Sequence, residues 1–211
     1  MAHMARPAPR EVDEETIQVP ASVRFPVELT PPDGFDPARL ETWPRVEGRL
    51  EWVGGRLLYM PPCGTSQQLT VSDLVATLAS WVRSHPEFAV GTNEAGVRLG
   101  EDTRGADGAV WRRADVHPRD PGLPRAIPVL AAEVAGRYEG KTALREKARW
   151  YLDRGVAVVW LLFPKEREVI VMSRACESRY RMGERVPCDP RLPDLEPRVE
   201  ELFLQVSTET A

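Results

Sequence analysis

Ile127-Pro128-Val129-Leu130-Ala131-Ala132-Glu133-Val134 is an almost continuous apolar run that closes on one acid. A run of this kind reads as a strand buried on both faces, as in the centre of a sheet covered by helices. Just downstream, Thr142–Arg154 sets Leu144, Ala148, Tyr151 and Leu152 on one helical face, and Gly155 stands where a helix end wants positive φ. Val156–Phe163 is a second apolar run. Strand, helix, strand in this order predicts a βαβ crossover with the two strands parallel.

Upstream, Leu50-Glu51-Trp52-Val53, then Gly54-Gly55, then Arg56-Leu57-Leu58-Tyr59-Met60 reads as a hairpin that Pro61-Pro62 ends. Thr65 to His85 reads as a helix, with Leu69, Leu74, Leu78, Trp81 and Val82 near a 3.6 period, Thr65 or Ser66 as cap and Pro86 beyond. Phe88–Val90 and Ala95–Leu99 are predicted strands, Gly100–Gly108 a glycine- and charge-rich loop, and Val110–Val116 a further strand. Arg167–Met172 and Arg179–Met182 complete a meander, and Val199–Gln205 is a short amphipathic piece. The hairpins imply antiparallel pairing and the crossover parallel pairing. The expectation is therefore an α/β domain, a mixed sheet flanked by helices, over residues 45–205. Residues 1–44 are rich in proline and acids and read as an N-terminal arm with one short strand near Thr16–Val19.

The 211 residues suit one domain with additions. A net charge of −4 excludes a passive nucleic-acid coat, which would be basic. It leaves room for a carboxylate metal site with a local arginine patch, for which Arg104, Arg112, Arg113, Arg119 and Arg125 are candidates. Cys63, Cys176 and Cys188 have neither metal-ligand spacing nor a CxxC, which argues against a disulfide framework or zinc and for a reducing cytoplasm. The start, Met1-Ala2-His3-Met4, lacks the apolar region of a signal peptide. No apolar stretch approaches ~18 residues, so no membrane span is expected.

The chemistry lies with acids in apolar company. Asp115 falls inside the predicted strand Val110–Val116, and Glu133 closes its own strand. Such carboxylates repel each other and cost several kcal/mol, roughly, if buried unpaired. A divalent cation relieves both problems, and Mg²⁺ or Mn²⁺ needs only one or two protein carboxylates. Lys147, on the helix after the Glu133 strand, falls near the inward face with Leu144 and Tyr151 and is the candidate ammonium for orienting water on a phosphate. The reading requires the carboxyl groups of Asp115 and Glu133 to lie within about 8 Å of each other. Asp107 is an alternative first ligand on a poorer platform, a glycine-rich loop, and Glu94 or His117 could also approach. His85 reads as a helix-end residue and Trp81, Trp150 and Trp160 as core. Trp52 and Trp111 are either core or surfaces for stacking on bases.

Arg49 to Pro62 resembles the opening signature of the Uma2 family (DUF820), with its glutamate, glycine and Met-x-Pro. Arg112-Arg113-Ala114-Asp115-Val116 resembles the family's Arg-Arg-Pro-Asp-Val strand, and Glu133-Val134 its Glu-Val strand end. Lys147, Tyr151, Gly155-Val156 and Trp160 resemble the helix and strand that follow. The resemblance covers about residues 45–182. It implies the restriction endonuclease-like fold of the PD-(D/E)XK nucleases, with Asp115 and Glu133 as metal ligands. Lys147 would be a lysine displaced from the Glu strand, where Ala135 now stands, and Glu51 is either a site-lining acid or an exposed hairpin residue. The chain departs from the pattern at Gln67 or Gln68, where a histidine is usual, and at Ala114, Ala135-Gly136 and Val158. The expectation is a Mg²⁺- or Mn²⁺-dependent endonuclease-like hydrolase acting on DNA, with a homodimer as the natural way to cut two strands. Two alternatives stay open: a non-cleaving binding protein on the same scaffold, and an accessory enzyme acting on another phosphate.

Overall fold

The computed structural model describes residues 23, 25–117, 122–137 and 139–207, the side chains of residues 93 and 94 excepted. The strand expected at Thr16–Val19, Arg119 and the side chain of Glu94 lie outside the described residues.

Among these residues nine strands form one sheet. The hairpin is β2 (Arg49–Val53) and β3 (Arg56–Met60), turning at Gly54 and Gly55, both with positive φ. A short strand from the arm, β1 (Val27–Leu29), pairs antiparallel with β3, so the sheet begins well before Glu47. Next come α1 (Thr65–Ser84), β4 (Phe88–Leu99), β5 (Asp102–Arg112), β6 (Leu130–Val134), α2 (Lys141–Asp153) and β7 (Val158–Phe163). They are followed by β8 (Glu168–Met172), β9 (Glu177–Arg181) and α3 (Leu204–Ser207). The only parallel pair, β6 with β7, is the predicted crossover; the others are antiparallel. α1 starts from Gly64 without a side-chain cap, so neither Thr65 nor Ser66 serves. α2 ends as expected: Gly155 has φ +97°, its N–H donates to Leu152 O and that of Val156 to Tyr151 O.

Each face of the sheet has its own core. Leu74, Leu78 and Trp81 of α1 cover Val110, Leu130, Ala132, Val158 and Trp160 on one side, joined by Leu195, Leu202 and Phe203 of the C-terminal segment. Leu144, Ala148, Tyr151 and Leu152 of α2 cover Ala109, Ala131, Val159 and Leu161 on the other.

The largest departure from expectation is β5. The stretch Gly100–Gly108 is not a loop: it forms one long hairpin with β4, whose two predicted strands are continuous through a register shift between Thr92 and Ala95. Gly100, with φ +67° and open space around it, turns that hairpin, while glycines within its strands mark close approach. A Cβ on Gly91 would sit 2.6 Å from the Trp111 ring, and one on Gly108 3.3 Å from Leu74. β5 then ends at Arg112, earlier than expected, and Arg113–Asp115 is an exposed 3-10 turn.

One edge of β5 pairs with β4 along its length, while the other is shared. β2 meets it at Thr103, and β6 meets it from Gly108 to Val110. Between these two partners lies a gap spanning Arg104–Asp107.

Candidate active site

The gap is filled by charged side chains instead of a neighbouring strand. Gly105 in the gap donates its N–H to Glu51 Oε1 at 3.3 Å and accepts from Lys147 Nζ at 3.2 Å. Asp107 Oδ2 accepts from the backbone N–H of Val134 at 2.7 Å. Continuing the β5–β6 register by one residue puts Asp107 opposite Glu133, on the same face. Side chains from β2, β5 and α2 thus complete the backbone hydrogen bonding of the fork, which fixes their positions.

Lys147 is centred among them. Its Nζ lies 2.7 Å from Glu133 Oε2 and 3.3 Å from Glu51 Oε1. One turn on, the Tyr151 hydroxyl donates to Glu133 Oε1 at 2.8 Å. Glu51 also accepts from Arg104 at 2.8 Å, and Arg49 stands 3.7 Å from Glu51 and 3.8 Å from Asp107. The helical face that buries Leu144, Ala148 and Tyr151 carries Lys147 inward with them, as the spacing predicted.

Burial and charge act against each other here. Burial pushes the Glu133 carboxyl up, to about 7, with Asp107 adding to the rise and Lys147 opposing it. Glu51 feels the same burial, yet Lys147, Arg49, Arg104 and the Gly105 N–H outweigh it and hold its carboxyl below the usual range. Burial, with Glu133 and Glu51 alongside, pushes the Tyr151 hydroxyl well above its usual value.

The structure therefore brings together three of the four predicted site residues, Glu51, Glu133 and Lys147, and leaves out Asp115. β5 runs five residues past Asp107 at about 3.3 Å each before the turn that carries Asp115, more than about 15 Å from Glu133. Asp115 is exposed on that turn, so the expected proximity fails for it and is met by Asp107. The chain holds the pattern Arg-x-Ala-Asp twice, at Arg104–Asp107 in the fork and at Arg112–Asp115 on the exposed turn. The arginine patch changes likewise. Arg104 belongs to the site, whereas Arg112 lies over Phe88, Arg113 donates to Pro86 O and Arg125 is exposed. His85 stacks on Trp81 at the end of α1, His117 is exposed beyond the Asp115 turn, and Trp111 is core. Trp52 packs at a tilt against Phe35, and Trp150 lies beside Arg104 and Arg154.

Arg49, Glu51, Arg104, Asp107 and Lys147 form the floor of a cleft of about 900 Å³ between α1, α2 and β3, and Glu133 lies beneath it, held by Lys147 and Tyr151. Gln67, at the position where a histidine was noted as usual, reaches from α1 to donate to Val134 O at 3.1 Å.

The donor set suits a small hard cation. It is all carboxylate, and among the described residues no three of these acids, histidines or cysteines close a cage. Mg²⁺ takes one or two protein carboxylates and completes its shell with water and substrate oxygens. Asp107 and Glu133, facing each other across two strands, are such a pair.

Comparison with known proteins bears on the family and the fold. The sequence model of the Uma2 family, described as "Putative restriction endonuclease", matches residues 37–207. A crystal structure titled as "a putative nuclease belonging to DUF820" from Anabaena variabilis superposes with a TM-score of 0.70. It shares 18% identity over 82% of this chain and 99% of that one, a likeness of fold. No curated protein matches the chain.

Proposed function

The chain belongs to the Uma2 family, and from that premise and the buried acid–lysine cluster we propose that it is a metal-dependent phosphodiester hydrolase acting on DNA. The observation that carries the reading is the convergence of Glu51, Asp107 and Lys147 on the β5 fork at the floor of a cleft, with Glu133 directly behind Lys147. Asp107 and Glu133 would hold Mg²⁺ or Mn²⁺, which when bound polarises the scissile phosphate and acidifies a water. Lys147 orients the attacking water and offsets charge on the phosphate. Tyr151 fixes the Glu133 carboxylate from the side opposite Lys147, and Glu51 and Arg49 keep Lys147 and Asp107 in register.

A second reading has a specific observation in its favour. Two buried cations, Arg49 and Lys147, with the half-buried Arg104 already balance the three buried acids. A cluster so balanced suits a non-cleaving protein that uses the cleft for binding. Hydrolysis of plasmid and single-stranded DNA in Mn²⁺ separates the two. Cleavage that disappears in Asp107→Asn and in Lys147→Ala supports the hydrolase. Folded, metal-loaded protein that leaves every DNA intact overturns it.

A further inference from the structure

The reacting groups are sunk beneath the surface. Glu51 is 1% exposed, Glu133 3% and Asp107 7%. A duplex is stiff over about 50 nm and carries its phosphates on a convex outer surface. Lowering one of them onto a buried carboxylate requires the strand to be slim or freed from its partner. Enzymes that act deep in a pocket on DNA use single strands or extrude the target nucleotide.

The walls of the cleft point the same way. On the side of β3 it is largely apolar, with Phe25, Leu58, Met60 and Pro61, and on α1 Val71 stands among Gln67, Gln68 and Ser72. Phosphates gain nothing from such a wall, whereas the face of an unstacked base does. At the mouth, Arg56 and Arg137 are countered by Glu139 and Glu146. A rim without net charge, on a chain of net charge −4, offers no track for the phosphates of a duplex lying across it. We propose that the cleft admits an unpaired strand, with a base seated on the Phe25–Met60 wall and its phosphate delivered to the floor. This rests on the hydrolase reading of the same cleft and names the form of its substrate.

The test is fluorescence anisotropy of the full chain in EDTA. The probes are a labelled single-stranded DNA, the same sequence as RNA, and the same sequence as a blunt duplex. Cleavage of each is then followed in Mn²⁺. At least one single strand binds about tenfold or more tighter than the duplex, and Phe25→Ala weakens that binding about fivefold or more. Met60→Gln on the same wall serves if Phe25→Ala fails to fold. Duplex bound as tightly as both single strands overturns the proposal. If that duplex is also cut, and the cutting disappears in Asp107→Asn, the hydrolase reading stands without it. Single strands bound tightly but never cut support the proposed occupant and overturn the hydrolase. Failure to bind or cut any of the three overturns both.

Discussion

Lys147 Nζ stands 2.7 Å from Glu133 Oε2 with both side chains nearly closed to solvent. Lys147 is the counter-charge of both Glu133 and the ionised Glu51, 3.3 Å away, and its removal leaves these buried acids without that partner and without water.

Lys147→Ala should therefore cost about 3–5 kcal/mol of stability, measured by denaturant unfolding at neutral pH. Mn²⁺ should recover part of the loss, since it offers Glu133 and Glu51 a new counter-charge. An unchanged unfolding midpoint would mean the pair is not buried as described.

Asp107→Asn and Asp115→Asn separate the two copies of Arg-x-Ala-Asp. The first should abolish both hydrolysis and the rise in melting temperature on adding Mn²⁺. The second should leave both unchanged, because Asp115 is exposed on a turn at the far end of β5. The reverse result would return the metal to Asp115.

Tyr151 is fully buried and its hydroxyl serves Glu133 Oε1. Tyr151→Phe should destabilise by about 1–3 kcal/mol, the range for a buried acceptor left without its donor. Hydrolysis should fall more than DNA binding, as expected of a residue that positions Glu133 without touching the substrate. Equal loss of both would assign Tyr151 to binding.

The pH dependence has a defined sign. Between the usual glutamate value and about 7, the folded chain keeps a proton on Glu133 that the unfolded chain has released. Its contribution to stability is full at the acid end of that window and is lost as pH rises through about 7. Glu51 works the other way, contributing stability above the usual glutamate range that is lost as pH falls through its depressed folded value. Glu133→Gln should flatten the upper slope of melting temperature against pH and leave the acid limb. Because cation and proton compete for Glu133, the Mn²⁺-induced shift should grow as pH passes about 7. A shift independent of pH would remove Glu133 from the ligands.

Much of this was legible in the chain. The β6–α2–β7 crossover, the hairpin at Gly54-Gly55 and the inward face of α2 follow from periodicity and turn chemistry, which are local. Lys147 follows from the same face. β5 was not legible, because what makes Asp102–Asp107 a strand comes from elsewhere in the chain. Asp102 accepts from the Gly54 N–H and from Trp150, Arg104 meets Glu51, and Asp107 meets the Val134 N–H. Read locally, glycines and charges spell a loop. Their partners, 27 to 53 residues away, turn them into a strand. Read that way, Asp107 stands on a loop, and Asp115, among apolar neighbours, on the firmer platform.

The fork on β5 also separates two tasks within one pocket. Its floor is assembled from β2, β5 and α2, while the side that meets an incoming molecule comes from the outer ribbon that β3 makes with the arm strand β1. Drift in that ribbon can change what is admitted while the groups beneath keep their spacing. A lineage built on this plan could trade substrates freely without rebuilding its chemistry.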